Sequence, residues 1–178
     1  MGHIARHARI NVKALIILTV TVGVLGVGAL GGHYIRKRVI AQRFLKTGTA
    51  AIEREDWSEA TKHLRHYLSS YPDDVEMLRE YAEAQLLVRP REPENILQAI
   101  AAYRRIYRPH AMRGDDELSD KLARLYLSIR DFSEAIYICK DRLEKDPTDA
   151  SATVLMAQAL MFKNEYDEAS ELLTNLVE

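Results

Sequence analysis

A five-residue phrase recurs along this 178-residue chain and restricts its fold more than any other feature. It reads DWSEA at Asp56–Ala60, DFSEA at Asp131–Ala135 and EYDEA at Glu165–Ala169. The last two copies end on alanines 34 positions apart, a spacing that belongs to helix-turn-helix units. Such a unit cannot bury its own apolar face, so copies stack, and the stack presents a long surface to a partner.

The charge balance divides the chain. Residues 1–46 carry eight Lys/Arg (Arg6, Arg9, Lys13, Arg36, Lys37, Arg38, Arg43, Lys46) and no acid, which leaves 17 basic against 26 acidic residues from position 47 onward. An acidic domain behind a basic leader is a poor match for nucleic acid, so no nucleic-acid partner is expected. The single Cys139 excludes an internal disulfide framework.

Between the basic groups, Ala14 to Gly32 is a run of 19 residues without a charged side chain. As a helix it spans roughly 28 Å, close to the ~30 Å hydrocarbon core of a bilayer. Tyr34 stands where an interfacial aromatic would sit. A cleavable signal peptide is the rival reading, but the run exceeds the ~7–15 residues of such an apolar region. The expectation is therefore a transmembrane helix at 14–35 after a basic tail at 1–13. Cations flank both ends, so the side of the soluble domain stays open. Within the span, Thr19-x-x-x-Gly23 and Gly28-x-x-x-Gly32 would let another helix approach closely. The plain alternative is a glycine-rich helix end with no partner.

Beyond the span, small residues fall at regular positions. Gly48, Ala82, Ala123 and Ala157 mark the first helix of each pair, and Ala60, Ala99, Ala135 and Ala169 the second. The first unit reads Phe44, Gly48, Ala60, Leu64, Pro72; the third Leu122, Ala123, Tyr126, Ala135, Cys139, Pro147. The fourth reads Met156, Ala157, Leu160, Ala169, Leu173, and the second, the loosest, Leu78, Tyr81, Ala82, Ala99, Tyr103. From about residue 41 onward this pattern resembles the tetratricopeptide repeat family. The resemblance implies an all-α chain, an α-solenoid of about four repeats over 36–178 (41–74, 75–113, 116–149 and 150–178) behind the transmembrane helix.

Asp56-x-x-Glu59 and Asp131-x-x-Glu134 have the form of capping boxes. Trp57, Phe132 and Tyr166 open the second helices and are expected to cover the end of each pair. Tyr71-Pro72-Asp73-Asp74 and Asp146-Pro147-Thr148-Asp149 break one pair from the next. Ala60 to Ala99 is 39 residues and Ala99 to Ala135 is 36. The surplus is expected in loops at Arg89–Pro93 and Pro109–Asp115. After Glu165–Glu178 no further helix shields the last apolar face, with Leu172, Leu173, Leu176 and Val177 left partly open. Self-association, there or through the glycine face of the span, is one expectation; a longer array is the other.

The family resemblance implies that first helices line a concave groove. Counting within each repeat, the fifth position is Leu45, Arg79, Asp120 and Val154; the ninth is Thr49, Glu83, Arg124 and Gln158; the twelfth is Ile52, Leu86, Leu127 and Met161. An apolar stripe bordered by mixed charge suits an amphipathic helix or an extended peptide. Alternatively, position twelve packs between helices. The Lys- and Asn-rich clamp of chaperone-binding relatives is absent at these positions.

No catalytic set stands out, so an enzyme is not expected, and no cofactor or metal is implied. His63-x-x-His66 lacks a third ligand with sensible spacing and reads as an exposed pair; Cys139 occupies a core position. The function expected is a protein-interaction scaffold, an accessory or assembly subunit of a larger complex, single-pass in a bacterial inner membrane. A transient peptide-binding or chaperone-type adaptor is the alternative.

Overall fold

A computed structural model of the protein describes residues 36–107 and 115–177. The tail 1–13 and the span expected at 14–35, with Thr19, Gly23, Gly28 and Gly32, lie outside the described residues, as does Pro109–Gly114 of the second expected loop. Among the described residues no helix is long and apolar enough to cross a membrane. Two units divide the chain, Met1–Arg43 and Phe44–Glu178. Helical backbone occupies 36–53, named α1. The second unit continues with α2 (Trp57–Leu68), α3 (Val75–Leu87), α4 (Pro93–Tyr107), α5 (Asp116–Ser128), α6 (Phe132–Leu143), α7 (Ala150–Phe162) and α8 (Tyr166–Val177). From α2 to α8 each helix packs on its sequence neighbours, and α5 also meets α7, first helix on first helix. The result is an all-α helical repeat.

Five of these helices start on an aspartate. Asp56, Asp74, Asp115, Asp131 and Asp149 each accept a hydrogen bond from the backbone N–H three residues on, at 2.9–3.3 Å. Each satisfies a donor that the first helical turn leaves without a partner. The reciprocal half of the two expected capping boxes does not form. The N–H of Asp56 is given to the Ala51 carbonyl and that of Asp131 to the Tyr126 carbonyl, both at 2.9 Å. Glu59 turns instead to Lys62 and His63, and Glu134 to Arg104.

The reason is the turn before the cap. Glu55, Arg130 and Asn164 have φ of 57°, 63° and 65°. One left-handed residue folds the chain back, so the next N–H reaches a carbonyl near the end of the preceding helix. The fourth-unit turn repeats this, with the Glu165 N–H on the Leu160 carbonyl at 2.9 Å. The surplus of the second repeat is shared between loop and helix: the loop 88–92 is longer than its counterpart 129–131, and α4 starts earlier before Ala99 than α6 does before Ala135.

Small side chains set how closely the pairs lie. Ala60, Ala82, Ala99, Ala123 and Ala135 are fully buried, and Ala157 and Ala169 nearly so. A Cβ added at Gly48 would stand 3.0 Å from Leu64 Cδ2, so any larger residue would have to push the Leu64 side chain aside. Trp57 and Ile52 pack on the alanine cluster Ala51, Ala60 and Ala84, which joins α1, α2 and α3. Cys139 is buried, and burial pushes its thiol up to about 12. A thiol so placed is a packing group.

Candidate partner-binding surface

The first-helix columns read from the sequence differ sharply in what they can offer a partner. Arg79 reaches from α3 to Asp115, the cap of α5, with Nη2 2.6 Å from Oδ2. Glu83, one turn on, takes Lys121 Nζ of α5 at 2.6 Å and the Tyr103 hydroxyl of α4 at 2.8 Å. Burial works against the Glu83 carboxylate, but the bonds from Lys121 and Tyr103 outweigh it and hold it below the usual range. Asp115 is lowered in the same way: burial raises it, while the Leu118 N–H and Arg79 more than compensate. These groups bolt the second repeat to the third.

Asp120 serves the next joint. It accepts from Arg124 Nε at 2.7 Å, from Arg142 Nη1 at 3.1 Å and from the Ser151 hydroxyl. Arg142, only 6% exposed, also holds Asp149 at 2.6 Å. One guanidinium thus ties α6 to α5 and to the cap of α7. Burial again opposes the Asp120 carboxylate, and Ser151, Arg124 and Arg142 draw it down. Sequence reading missed Arg142, because an arginine late in an amphipathic helix gives no local sign of a buried partner.

The remaining columns fall into two groups. Leu45, Ile52, Leu86 and Leu127 are half-buried, and Thr49 turns its hydroxyl to the Leu45 carbonyl of its own helix at 3.1 Å. Arg124, Val154, Gln158 and Met161 are exposed. Val154 and Met161 are 49% and 50% exposed, and Phe162 beside them is 58% exposed while stacking on Phe132 at 5.3 Å. Along α7, Val154, Gln158 and Met161 are spaced i, i+4, i+7 and share one face. The open apolar surface among the twelve positions therefore gathers on α7, with Arg124 of α5 the remaining exposed member.

A second concavity, of about 300 Å³, lies between α4, α5 and α6 and was not foreseen. Tyr107, Tyr126, Tyr137, Leu122 and Ile138 line it, with Arg104 and Glu134 3.6 Å apart. Its signal in the sequence was the tyrosine spacing on three separate helices, which only packing brings together. His66 is exposed as expected, but His63 is not. Its Nε2 lies 3.0 Å from Glu59, and Phe44 sits between both imidazoles, at 5.9 Å from His63 and 4.8 Å from His66. Among the described residues no group of three His, Cys, Asp or Glu could hold a metal ion.

Comparison with known proteins follows the same outline. Residues 126–178 match the family model for the tetratricopeptide repeat. No curated protein matches the chain. Among solved structures, the crystal structure of MamA is 18% identical, with 77% of this chain and 76% of that one covered, at a TM-score of 0.57. MamA from Desulfovibrio magneticus is 17% identical over 78% of this chain and 74% of that one, at 0.56. PilF of Pseudomonas aeruginosa is 14% identical over 90% of this chain and 73% of that one, at 0.52. At these identities the likeness is one of fold, a helical repeat of the tetratricopeptide type.

Proposed function

We propose that this chain is a membrane-anchored interaction scaffold, an accessory or assembly subunit, that grips a protein partner through the first-helix face of its last two repeats. The observation that carries the reading is the exposed Val154–Gln158–Met161 stripe on α7. Apolar side chains at helical spacing in open solvent are what an amphipathic helix or extended segment buries on docking. The polar positions further along the groove are spent on holding repeats together, which leaves this end for a partner. Anchoring by 14–35 in a bacterial inner membrane rests on the uncharged run and its basic flanks. A scaffold without chemistry of its own fits side chains that are committed to caps, joints and core.

The test is extraction of the full chain from its native membranes in mild detergent, followed by native mass measurement and identification of co-migrating chains. A defined complex is expected. A lone 20.3 kDa chain or its dimer would overturn the subunit reading, and weak, salt-sensitive capture of many peptides would mark a transient adaptor instead. The pair V154E/M161E should release the partner with the helical signal unchanged. Leu127→Asp, at a half-buried position, should lower the melting temperature as well.

A further inference from the structure

The cavity of about 300 Å³ between α4, α5 and α6 has polar groups at its mouth that the fold does not use. Its floor is apolar: Leu122 of α5 and Ile138 of α6 are each 1% exposed, and the Tyr126 ring is buried beside them. Its rim is open, with Tyr137 53% exposed and Arg104 and Glu134 41% and 37%. The open side chains all come from α4 and α6, both second helices, whereas the Val154–Met161 stripe lies on a first helix. Arg104 Nη2 and Glu134 Oε1 stand 3.6 Å apart, too far for a direct hydrogen bond. Among the described residues neither side chain makes another polar contact. Charges at the repeat joints are placed otherwise: Lys121 meets Glu83 at 2.6 Å, and Arg142 meets Asp149 at 2.6 Å and Asp120 at 3.1 Å.

We infer that this cavity is a second docking site, which takes an extended peptide segment of a protein partner with one aromatic side chain seated inside. Its volume stands at the bottom of the ~300–1,000 Å³ range of small-molecule sites, which is room for one large side chain. Tyrosine rings in the lining favour an aromatic guest, packed edge to face or offset. The backbone of the guest follows from the rim. Arg104 offers N–H donors and Glu134 carboxylate acceptors side by side. A helix has already spent its own backbone groups and leaves both unanswered. One residue of an extended segment presents its N–H and its C=O on the same edge, as in a hydrogen-bonded pair of antiparallel strands. Its carbonyl then accepts from Arg104 while its N–H donates to Glu134. This site adds a surface to the scaffold and depends neither on the first-helix stripe nor on the membrane reading of 14–35.

The experiment uses the full chain in detergent micelles and the probe N-acetyl-para-fluorophenylalanine N-methylamide, followed by fluorine NMR against protein-free micelles. Saturable binding is expected. Unlabelled capped phenylalanine should displace the probe about tenfold more effectively than capped alanine, which cannot fill the cavity. It should also outcompete free phenylalanine, whose charged ends replace the two amides. The variant R104Q/E134Q keeps the side-chain volumes at an exposed rim, so its melting temperature should hold while affinity falls about tenfold. V154E/M161E, on the first-helix face, should bind the probe as the parent does. Absence of saturable binding, or equal competition by capped alanine, would overturn the inference. So would free phenylalanine competing as well as the capped form, which marks a site for a zwitterion instead of a peptide. An unchanged affinity in R104Q/E134Q, or a loss in V154E/M161E, would place the probe elsewhere and overturn it too.

Discussion

Two hairpins within the second unit, α5–α6 and α3–α4, reach a similar packing by different means. In α5–α6 the backbone closes the turn. Arg130 takes the left-handed conformation, its N–H goes to the Leu127 carbonyl at 3.1 Å, and the Asp131 N–H to Tyr126. In α3–α4 the loop 88–92 is longer and side chains do the closing. Arg89 donates to the Leu86 and Val88 carbonyls at 3.0 and 2.8 Å, and Arg91 also reaches Leu86. Gln85, 1% exposed, donates to the Tyr81 hydroxyl at 2.8 Å and accepts from Asn95 Nδ2 at 2.7 Å. Helix ends must be satisfied either way. A turn that does so with backbone tolerates many side chains, whereas a turn that does so with side chains depends on each of them.

The contrast breaks most readily at Gln85. Gln85→Leu keeps the volume but leaves Asn95 without its acceptor in a half-buried site. A loss of about 1–3 kcal/mol in denaturant unfolding is expected, and a loss within error would show that the longer loop closes without it. On the regular side, Asp131→Ala removes only the cap bond to Glu134 N and should cost about 1 kcal/mol. The sign then reverses at the turn residue. Arg130→Gly should stabilise by about 0.5–1 kcal/mol, since glycine reaches positive φ without a Cβ penalty. Asn164→Gly should gain less, because asparagine already tolerates that region. Arg89→Gly in the side-chain-closed loop should instead lose up to about 0.5 kcal/mol at this exposed site. A melting-temperature series over the three glycine variants checks the order.

Acid gives the smallest effect per group. Glu83 and Asp115, which join the α3–α4 hairpin to α5, have carboxyls lowered in the folded state. Their contribution is present above the unfolded carboxylate value, near ~4, and is lost as pH falls through the lower folded value. Hydrogen exchange between pH 5 and 3 should therefore show α3–α4 losing protection as these groups protonate. Substituting E83Q should flatten part of that slope. Both pairs are partly exposed, so salt will weaken the effect.

The same contrast explains how much of the molecule could be read in advance. DWSEA, DFSEA and EYDEA carry the cap, the aromatic that opens the helix and the alanine of close contact within five residues, so the regular hairpins are visible as a local pattern. The α3–α4 hairpin has no such phrase, since Gln85, Arg89, Arg91 and Asn95 act across a loop and none is unusual alone. Repeat positions could be counted in the sequence, but the pairing of their side chains could not. Counting put Arg79, Glu83 and Asp120 in the groove beside Val154 and Met161, and the count holds no hint that the first three are spoken for.

Sequence periodicity alone was enough to specify helical pairs, their stacking and the small residues at each contact, because a 34-residue recurrence with alanine at the crossing leaves few other ways to bury an apolar face. Tertiary structure decided which polar side chains are joints and which are surface. Arg142 lies 22 residues from Asp120 and seven from Asp149, yet one guanidinium serves both. Charge pairing depends on distance in space, and only the packed helices set that distance.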